Sequence, residues 1–270
     1  MQNTKPLKTV VFPVAGQGTR FRPATLGTAK ELLPVIEKPL LQFAIEEAVE
    51  AGAQKLIFVS SAKKPGIETY VNIPGTTADC EVVVVNQAQA LGLGHAVLCA
   101  KDHVTDDEFG VILPDDLIFG VAGCLAQMAE ARDIGGANLI ALQGVAREDT
   151  SRYGVIDPAG IDGPKVTAKG IVEKPAPENA PSQLAVVGRY ILNSGIFNRL
   201  ATQERGAGGE IQLTDALAGD IAHQGLTGYR FEGNRYDCGS PAGMLEATIA
   251  YARQRSDLRG TIENCFRVAA

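Results

Sequence analysis

The chain has 270 residues, of which 45% are hydrophobic and 21% charged, a balance typical of one globular α/β domain. Its net charge of −6 argues against a nucleic-acid partner, which needs a basic surface. No apolar run is long enough to cross a bilayer, and residues 1–8 lack a secretory signal, so we expect no membrane partner. The five cysteines are scattered without a C-x-x-C pair, which predicts reduced thiols and a cytoplasmic location.

The first half of the chain predicts alternating strands and helices. The segment 9–14 (TVVFPV) is apolar and β-branched, which indicates a buried strand, and a glycine-rich loop follows it. Pro39 predicts the start of a helix, with apolar residues on one face and Gly52 at its end. Further strands are predicted at 55–60, 81–85 and 110–113, and a helix at 94–102. This alternation predicts a parallel, doubly wound sheet with sites at the carboxyl ends of its strands.

The second half of the chain has a different pattern of predicted elements. A helix at 121–133 and a strand at 138–142 precede strand-like segments at 153–157, 165–173 and 184–192, which prolines and glycines separate. This pattern predicts an α+β portion laid on the first sheet. A helix at 210–223, a strand at 226–231 and a helix at 241–255 complete the prediction. We expect one domain, 1–270, with subregions of about 1–145, 146–240 and 241–270.

The loop after the first strand carries the strongest chemical signal. Gly16 and Gly18 allow the backbone to approach a phosphate closely and turn its N–H groups toward it. A dinucleotide fingerprint needs a third glycine where Phe21 stands, and no Gly-Lys-Ser/Thr of a Walker A loop follows. The alternative is a simple tight turn. The first acidic residue in the chain is Glu31. All charged residues before it are basic, which favours an anion-binding site; they are Lys5, Lys8, Arg20, Arg22 and Lys30.

The pattern G-x-G-T-R-x-x-P-x-T followed by K-E-x-L-P at 30–34 resembles the signature of sugar-1-phosphate nucleotidylyltransferases. With P-V-A-G at 13–16 and E-I-Q-L-T-D at 210–215, the chain is similar to the bacterial UTP–glucose-1-phosphate uridylyltransferases from 10 to about 251. The resemblance implies a Rossmann-like, mostly parallel sheet flanked by helices, with a smaller α+β sugar-binding subregion. It also implies UTP and glucose 1-phosphate as substrates, Mg²⁺ as cofactor, and a homo-oligomer, either a dimer or a tetramer.

Such a reaction needs no protein nucleophile, because an oxygen of the sugar phosphate attacks the α-phosphorus and pyrophosphate leaves. Catalysis then consists of positioning and charge neutralisation. The resemblance implies that Arg20 holds the leaving phosphates and that Lys30 reaches the α-phosphate or the leaving group. Gly18 and Thr19 belong to the same nucleotide-binding loop.

Two aspartates follow predicted strand ends, where a parallel sheet has its sites. Asp115 follows the strand at 110–113, and Asp237 follows the segment 234–236. In the resembling family the L-P-D and D-C-G aspartates hold the metal, and Mg²⁺ takes one or two carboxylates. Alone, Asp115 and Asp116 would indicate a solvated turn. We expect Asp116 to bind the nucleotide at its ribose, with a role as metal ligand as the alternative.

Base recognition is assigned to Gln87, at the end of a predicted strand, because an amide both donates and accepts on the uracil edge. The resemblance adds Gly92 on the base, backbone contacts from Ala15 and Gly16, and a ribose contact from Glu31. The alternative for Gln87 is a solvent-facing side chain at a strand end. His95 is expected to be structural, at a helix start, because this chemistry needs no acid or base.

The sugar-phosphate side is assigned to the Glu173-Lys174-Pro175 segment. In the resembling enzymes this glutamate holds sugar hydroxyls and this lysine the sugar's phosphate, with a backbone contact that maps to Gly154 and a pocket wall that maps to Val187. The alternative is a solvated ion pair of little energetic consequence. No physical role follows for the side chains of 210–215.

The chain departs from the family in two places. The segment 61–80 is shorter than the helical excursion usual there, and Asn86 stands where an arginine often precedes the glutamine. Three other functions share part of this pattern: a dTTP-using enzyme of the same chemistry, a non-catalytic nucleotide-sugar sensor, and a metal-dependent glycosyltransferase. A sensor would have lost Arg20, Lys30 or the metal carboxylates, all of which are present, and a glycosyltransferase would not need the Gly-x-Gly-Thr-Arg loop.

Overall fold

The computed structural model describes residues 6–62, 64 and 66–268. Residues 1–5, which include Lys5 and most of the segment predicted to lack a secretory signal, lie outside the described residues. Residues 269–270 lie outside them as well. No helix among the residues described is long and apolar enough to cross a membrane. The cysteines are all free thiols.

Thirteen strands and eight helices make up the regular structure of the described chain. The strands are β1 (Thr9–Pro13), β2 (Pro34–Val35), β3 (Lys38–Pro39), β4 (Lys55–Ser60), β5 (Glu81–Asn86), β6 (Glu108–Ile112), β7 (Asp116–Phe119), β8 (Asn138–Gly144), β9 (Gly154–Asp162), β10 (Lys165–Glu173), β11 (Leu184–Asn193), β12 (Leu226–Arg230) and β13 (Asn234–Asp237). The helices are α1 (Leu40–Glu50), α2 (Ile67–Val71), α3 (Leu93–Cys99), α4 (Cys124–Ala131), α5 (Ile196–Thr202), α6 (Leu213–Gln224), α7 (Pro241–Gln254) and α8 (Arg259–Val268).

Nine strands form one sheet in the order β5-β4-β1-β6-β11-β8-β12-β10-β9. The pairings β5–β4, β4–β1 and β1–β6 are parallel, as is β8–β12, whereas β11, β10 and β9 pair antiparallel with their neighbours. The same sheet therefore runs through both halves of the chain. The expected α/β class is confirmed, and the antiparallel pairings come from the second half, where the α+β texture was predicted.

Helices cover both faces of the sheet. Along β1, Val10 and Phe12 point into an apolar layer with α1 and α4, while Val11 points into the opposite layer with α3, α5 and α6. Phe12 stacks on Phe58 of β4 at 4.7 Å between ring centroids. Because a strand alternates its side chains between two faces, both faces are occupied by packing. The carboxyl ends of β1, β4 and β6 are thus left as the edge where a site can form.

Two predicted helices begin later than expected, and one strand was not predicted, each for an identifiable reason. The helix predicted at 121–133 begins at Cys124, where acids of α1 cap its first turn: Gly123 N–H donates to Glu50 (2.9 Å) and Leu125 N–H to Glu47 (2.9 Å). The helix predicted at 210–223 begins only at Leu213, because Gln212 before it has an extended backbone. The strand β7 was missed, since its four residues pair only with the distant β13.

A buried ion pair supports the loop between β6 and β7. Arg189 on β11, with 1% of its surface exposed, donates to both carboxylate oxygens of Glu47 at 2.9 and 2.7 Å. The same guanidinium donates to the carbonyls of Leu113 (3.1 Å) and Asp116 (2.8 Å). These hydrogen bonds therefore hold the loop that carries Asp115 against α1 and β11.

Candidate active site

The phosphate loop begins where buried β1 ends. Gly18 has φ +60°, and a Cβ there would lie 2.9 Å from Cβ of Lys30, so the protein itself requires glycine at this position. At Gly16 a Cβ would meet only Cε of Lys30, at 3.8 Å, which leaves room for a ligand. Thr19 is exposed and opens the single turn that presents Arg20. The Arg20 guanidinium is held by a hydrogen bond to the Gly239 carbonyl at 3.4 Å.

Lys30 is joined to one of the predicted metal ligands. Its ammonium lies 2.5 Å from Oδ2 of Asp115 and 3.9 Å from Oε1 of Glu31. Burial by itself would lower the pKa of Lys30, but Asp115 and Glu31 outweigh it and raise that pKa above its usual value. Burial works against the Asp115 carboxylate as well, yet Lys30 holds the pKa of Asp115 below its usual range. Both groups are therefore charged at neutral pH.

Glu31, for which a ribose contact is predicted, is paired within the protein. The Glu31 side chain is only 2% exposed, and its Oε2 lies 2.5 Å from the Lys64 ammonium, which also donates to the Val14 carbonyl at 2.8 Å. Charges buried this deeply persist only when they are paired. Glu31 thus supports Lys30 from behind the loop. Lys64 was missed because it lies in the short 61–80 segment, far from Glu31 in sequence.

Asp115 and Asp237 converge beside Gly239. A Cβ on Gly239 would lie 3.0 Å from Oδ1 of Asp237 and 3.2 Å from Oδ2 of Asp115, so these two oxygens are at most about 6 Å apart. In the described chain no group of three or more His, Cys, Asp or Glu side chains forms a metal cluster. Mg²⁺ commonly takes one or two carboxylates and completes its shell with phosphates and water. This pair of carboxylates fits that requirement.

Asp116, which is predicted to bind the nucleotide at its ribose, also has partners within the protein. Its Oδ1 accepts a hydrogen bond from Nε of Arg235 (2.6 Å), and its Oδ2 accepts from the Gly188 N–H (2.7 Å). The residue is 8% exposed and lies in the wall of the adjoining pocket. Through these two hydrogen bonds Asp116 ties β7 to β11 and β13.

A cavity of about 230 Å³ lies beside the phosphate loop and takes in the predicted base-binding residues Ala15 and Gln87. Gln87 is 5% exposed, so the alternative of a solvent-facing glutamine does not apply. Its Nε2 donates to the Gly92 carbonyl at 3.2 Å and lies 2.9 Å from Nδ1 of His95. Asn86, at the departure noted above, lines the same cavity and accepts from the Ala62 N–H at 3.2 Å.

A larger cavity of about 510 Å³ adjoins the carboxylates and is lined by Gly154, Glu173 and Lys174, as well as by Arg20. The Glu173 side chain is 12% exposed and lies 3.3 Å from the Lys174 ammonium, which is 53% exposed. Because Glu173 is mostly buried while Lys174 is accessible, the two do not form a solvated surface pair. The Lys174 backbone has φ +45°, a conformation that side-chain-bearing residues rarely adopt, and its N–H donates to the Tyr153 carbonyl at 2.9 Å.

Val187 does not line this cavity. Along β11, Val186, Gly188 and Tyr190 face the cavity, whereas Val187 points to the opposite face and packs in the apolar layer with α1 and α4. The alternation of side chains along a strand is the reason. The prediction was wrong by one residue, and Val186 supplies the pocket wall.

Two arginines of the cavity were not predicted as site residues. Arg152 donates from Nη2 to Oδ2 of Asp237 at 2.6 Å, and Arg235 pairs with Asp116 and donates to the Tyr153 hydroxyl at 3.2 Å. Each lies within two residues of a predicted site residue, Gly154 or Asp237, which is the signal that could have found them. Arg152 neutralises Asp237 much as Lys30 neutralises Asp115.

The 210–215 motif joins the two cavities. The Ile211 N–H donates to the Leu91 carbonyl (2.7 Å), and the Ile211 carbonyl accepts from the Gly94 N–H (2.8 Å), which fastens the motif to the loop before α3. A Cβ on Gly92 would lie 2.7 Å from Cβ of Glu210. At the other end, Thr214 lies against Gly154, where a Cβ would meet its hydroxyl at 3.1 Å. The motif therefore spans from the base side to the sugar side.

A glycine-rich loop at the carboxyl edge of an α/β sheet, two carboxylates beside it and a second polar cavity together define a nucleotide-dependent transferase. Residues 10–254 match the family described as Nucleotidyl transferase. The chain belongs to this family.

Sequence relatives within this family are named for one activity. A UTP–glucose-1-phosphate uridylyltransferase of Komagataeibacter xylinus is 41% identical over 286 residues, covering 96% of each chain. UTP–glucose-1-phosphate uridylyltransferase YngB of Bacillus subtilis (strain 168) is 38% identical, covering 96% of this chain and 94% of that one. The resemblance stated from the motifs is confirmed.

Solved structures agree. A crystal structure of UDP-glucose pyrophosphorylase complexed with UDP-glucose has a TM-score of 0.87 at 39% identity, covering 92% of this chain and 100% of that one. A UTP-bound UGPase from Acinetobacter baumannii has a TM-score of 0.86 at 35% identity, covering 96% and 98%.

Proposed function

We propose that this chain transfers the uridylyl group of UTP to glucose 1-phosphate, forming UDP-glucose and releasing pyrophosphate. The observation that carries the proposal is the convergence of Asp115 and Asp237 between the phosphate loop and the Lys174 cavity. An in-line displacement at the α-phosphorus needs this arrangement, with one substrate on each side of the carboxylates. The choice of UTP and glucose 1-phosphate is supported by the names of relatives at 38–41% identity.

On the nucleotide side, the backbone at Gly16 and Gly18 approaches the phosphates, and Arg20 neutralises charge on the departing pyrophosphate. Asp115 and Glu31 hold Lys30 beside the phosphate loop, and from this position its ammonium can reach the α-phosphate. A cation that is fixed before the reaction stabilises developing charge without reorganising during it.

Mg²⁺ would be held by Asp115 and Asp237 together with phosphate oxygens. When bound, it neutralises charge on the phosphates and favours departure of pyrophosphate. Lys30 pairs with Asp115 and Arg152 with Asp237, so both cations would lie beside the metal and the phosphates.

On the sugar side, Lys174 holds the phosphate of glucose 1-phosphate, Glu173 accepts hydrogen bonds from ring hydroxyls, and Gly154 contributes a backbone contact. The attacking phosphate oxygen forms the new bond to the α-phosphorus as the bond to the β-phosphate oxygen breaks. Both electrons of the broken bond leave with pyrophosphate. No proton has to be removed from the nucleophile, because a phosphate monoester is already largely ionised at neutral pH.

The substrate assignment is tested by pyrophosphate release with UTP, dTTP, CTP and ATP, each against glucose 1-phosphate in the presence of Mg²⁺. We expect the highest kcat/KM with UTP. Equal kcat/KM for UTP and dTTP would contradict the choice of base. Release of no pyrophosphate with any nucleotide would contradict the enzymatic function itself.

Lys174→Ala is expected to weaken glucose 1-phosphate by about ten- to a hundredfold, since a charge-assisted hydrogen bond contributes about 1.5–3 kcal/mol. Direct UTP binding should barely change. Calorimetry with UTP and steady-state kinetics in the sugar phosphate measure the two effects. Lys169→Ala is the matched control, because Lys169 lies on β10, the strand that precedes Lys174, in an exposed pair with Asp157. A variant at Lys174 that loses UTP affinity but keeps its KM for sugar phosphate would contradict the assignment.

Assembly, domain organisation and location are part of the same proposal. We propose that residues 1–270 act as one domain, that the chain forms a homo-oligomer, and that it works in the cytoplasm. The shared nine-stranded sheet supports the first statement, the family resemblance supports the second, and free cysteines without a disulfide framework support the third.

A further inference from the structure

The amide of Gln87 is held in one orientation. Its Nε2 lies 3.2 Å from the carbonyl oxygen of Gly92, which can only accept a hydrogen bond, so the NH₂ group must be on that side. The same nitrogen lies 2.9 Å from Nδ1 of His95. With one hydrogen donated to Gly92, the second is donated to Nδ1, which must carry a lone pair. His95 is therefore the tautomer with its proton on Nε2.

The surroundings of His95 favour this neutral tautomer. The ring lies on α3 with the Cys99 sulfur 3.9 Å from Nδ1, and no carboxylate among the described residues forms a hydrogen bond with it. Burial, together with the nearby charge of Arg205, lowers the pKa of His95. At neutral pH the ring keeps the lone pair that accepts from Gln87.

The orientation leaves the Gln87 oxygen for the ligand. Both amide hydrogens are used within the protein, and no donor in the described part of the chain bonds to Oε1. Gln87 lines the cavity of about 230 Å³ beside the phosphate loop. An oxygen facing a pyrimidine requires a donor from it: N3 of uracil carries a hydrogen, whereas N3 of cytosine offers a lone pair and would be repelled.

We propose that His95 is a positioning residue for base selection, which fixes the amide of Gln87 so that its oxygen meets N3–H of uracil and rejects cytosine. The inference deepens the proposed function and rests on it. His95 itself does not contact the nucleotide; it acts through Gln87. The helix start at Gly92 and the 210–215 motif packed on it hold the two anchors of the amide at a fixed distance.

His95→Phe tests the proposal, because phenylalanine keeps a ring of similar shape but cannot accept a hydrogen bond. With one of its two anchors lost, the amide can turn, and the ratio of kcat/KM for UTP over CTP should fall by about two- to tenfold. The KM for glucose 1-phosphate should stay unchanged. His95→Asn should restore the ratio, because the Asn oxygen can accept where Nδ1 does. His223→Phe, at an exposed histidine of α6, is the control and should leave the ratio unchanged.

Two results would overturn the inference: an unchanged UTP/CTP ratio in an active His95→Phe enzyme, or a His95→Asn enzyme that behaves like His95→Phe. The ¹⁵N spectrum of wild-type His95 gives a test that needs no variant to fold. We expect an unprotonated Nδ1 and a protonated Nε2, and a proton on Nδ1 would refute the proposed hydrogen bond. A wild-type protein inactive with UTP would instead contradict the proposed function, so the two failures are distinguishable.

Discussion

Arg189→Met is expected to lower the free energy of unfolding by about 3–5 kcal/mol, because it leaves the Glu47 carboxylate buried and unpaired. Arg189 is 1% exposed and provides both hydrogen bonds that neutralise this carboxylate, so no water can readily replace it. The carbonyls of Leu113 and Asp116 lose their donors in the same change. Urea denaturation followed by circular dichroism measures the effect.

The double variant Glu47→Gln, Arg189→Met separates the buried charge from the packing. It should be more stable than Arg189→Met alone, since no uncompensated charge remains. Lys165→Met is the exposed control: Lys165 pairs with an Asp133 that is 85% exposed, and its loss should cost no more than about 1 kcal/mol. If Arg189→Met were as mild as Lys165→Met, the ion pair would not be what holds the β6–β7 loop to α1.

Asp115→Asn is expected to reduce kcat by about 10²- to 10³-fold at limiting Mg²⁺, with the fold intact. A neutral amide is a weaker ligand for Mg²⁺ than a carboxylate, and Lys30 loses the counter-charge that holds it 2.5 Å away. Pyrophosphate release as a function of Mg²⁺ concentration measures the loss. Asp237→Asn should behave similarly, because its oxygen converges on the same point beside Gly239.

Asp162→Asn is the matched control for both carboxylates, because Asp162 lies exposed at the far end of β9. It should keep wild-type turnover at every Mg²⁺ concentration. Near-normal turnover of Asp115→Asn at limiting Mg²⁺ would show that the carboxylate does not hold the metal. A variant that loses its circular dichroism spectrum would point to a structural role instead.

Several features of the fold and of the phosphate loop follow from local chemistry alone. The strand at 55–60 was predicted with its observed bounds, and α1 starts directly after Pro39, because short apolar runs and a proline are signals that need no distant partner. The phosphate loop was recognisable for a similar reason: its glycines and cations are contiguous, and no acid interrupts them. The family followed from the same contiguous motif, as the relatives confirm.

Other features depend on partners that are distant in the sequence and that only the folded sheet brings together. Glu31 is paired with Lys64, 33 positions away, and Asp116 with Arg235, 119 positions away. The prediction that Val187 lines the cavity was wrong by one residue, because the pairing of β11 with β6 and β8 decides which of its side chains face the cavity. The physical reason is the same in each case: a buried charge or a strand face is defined by partners that the sheet order brings together, and nothing in local spacing encodes that order.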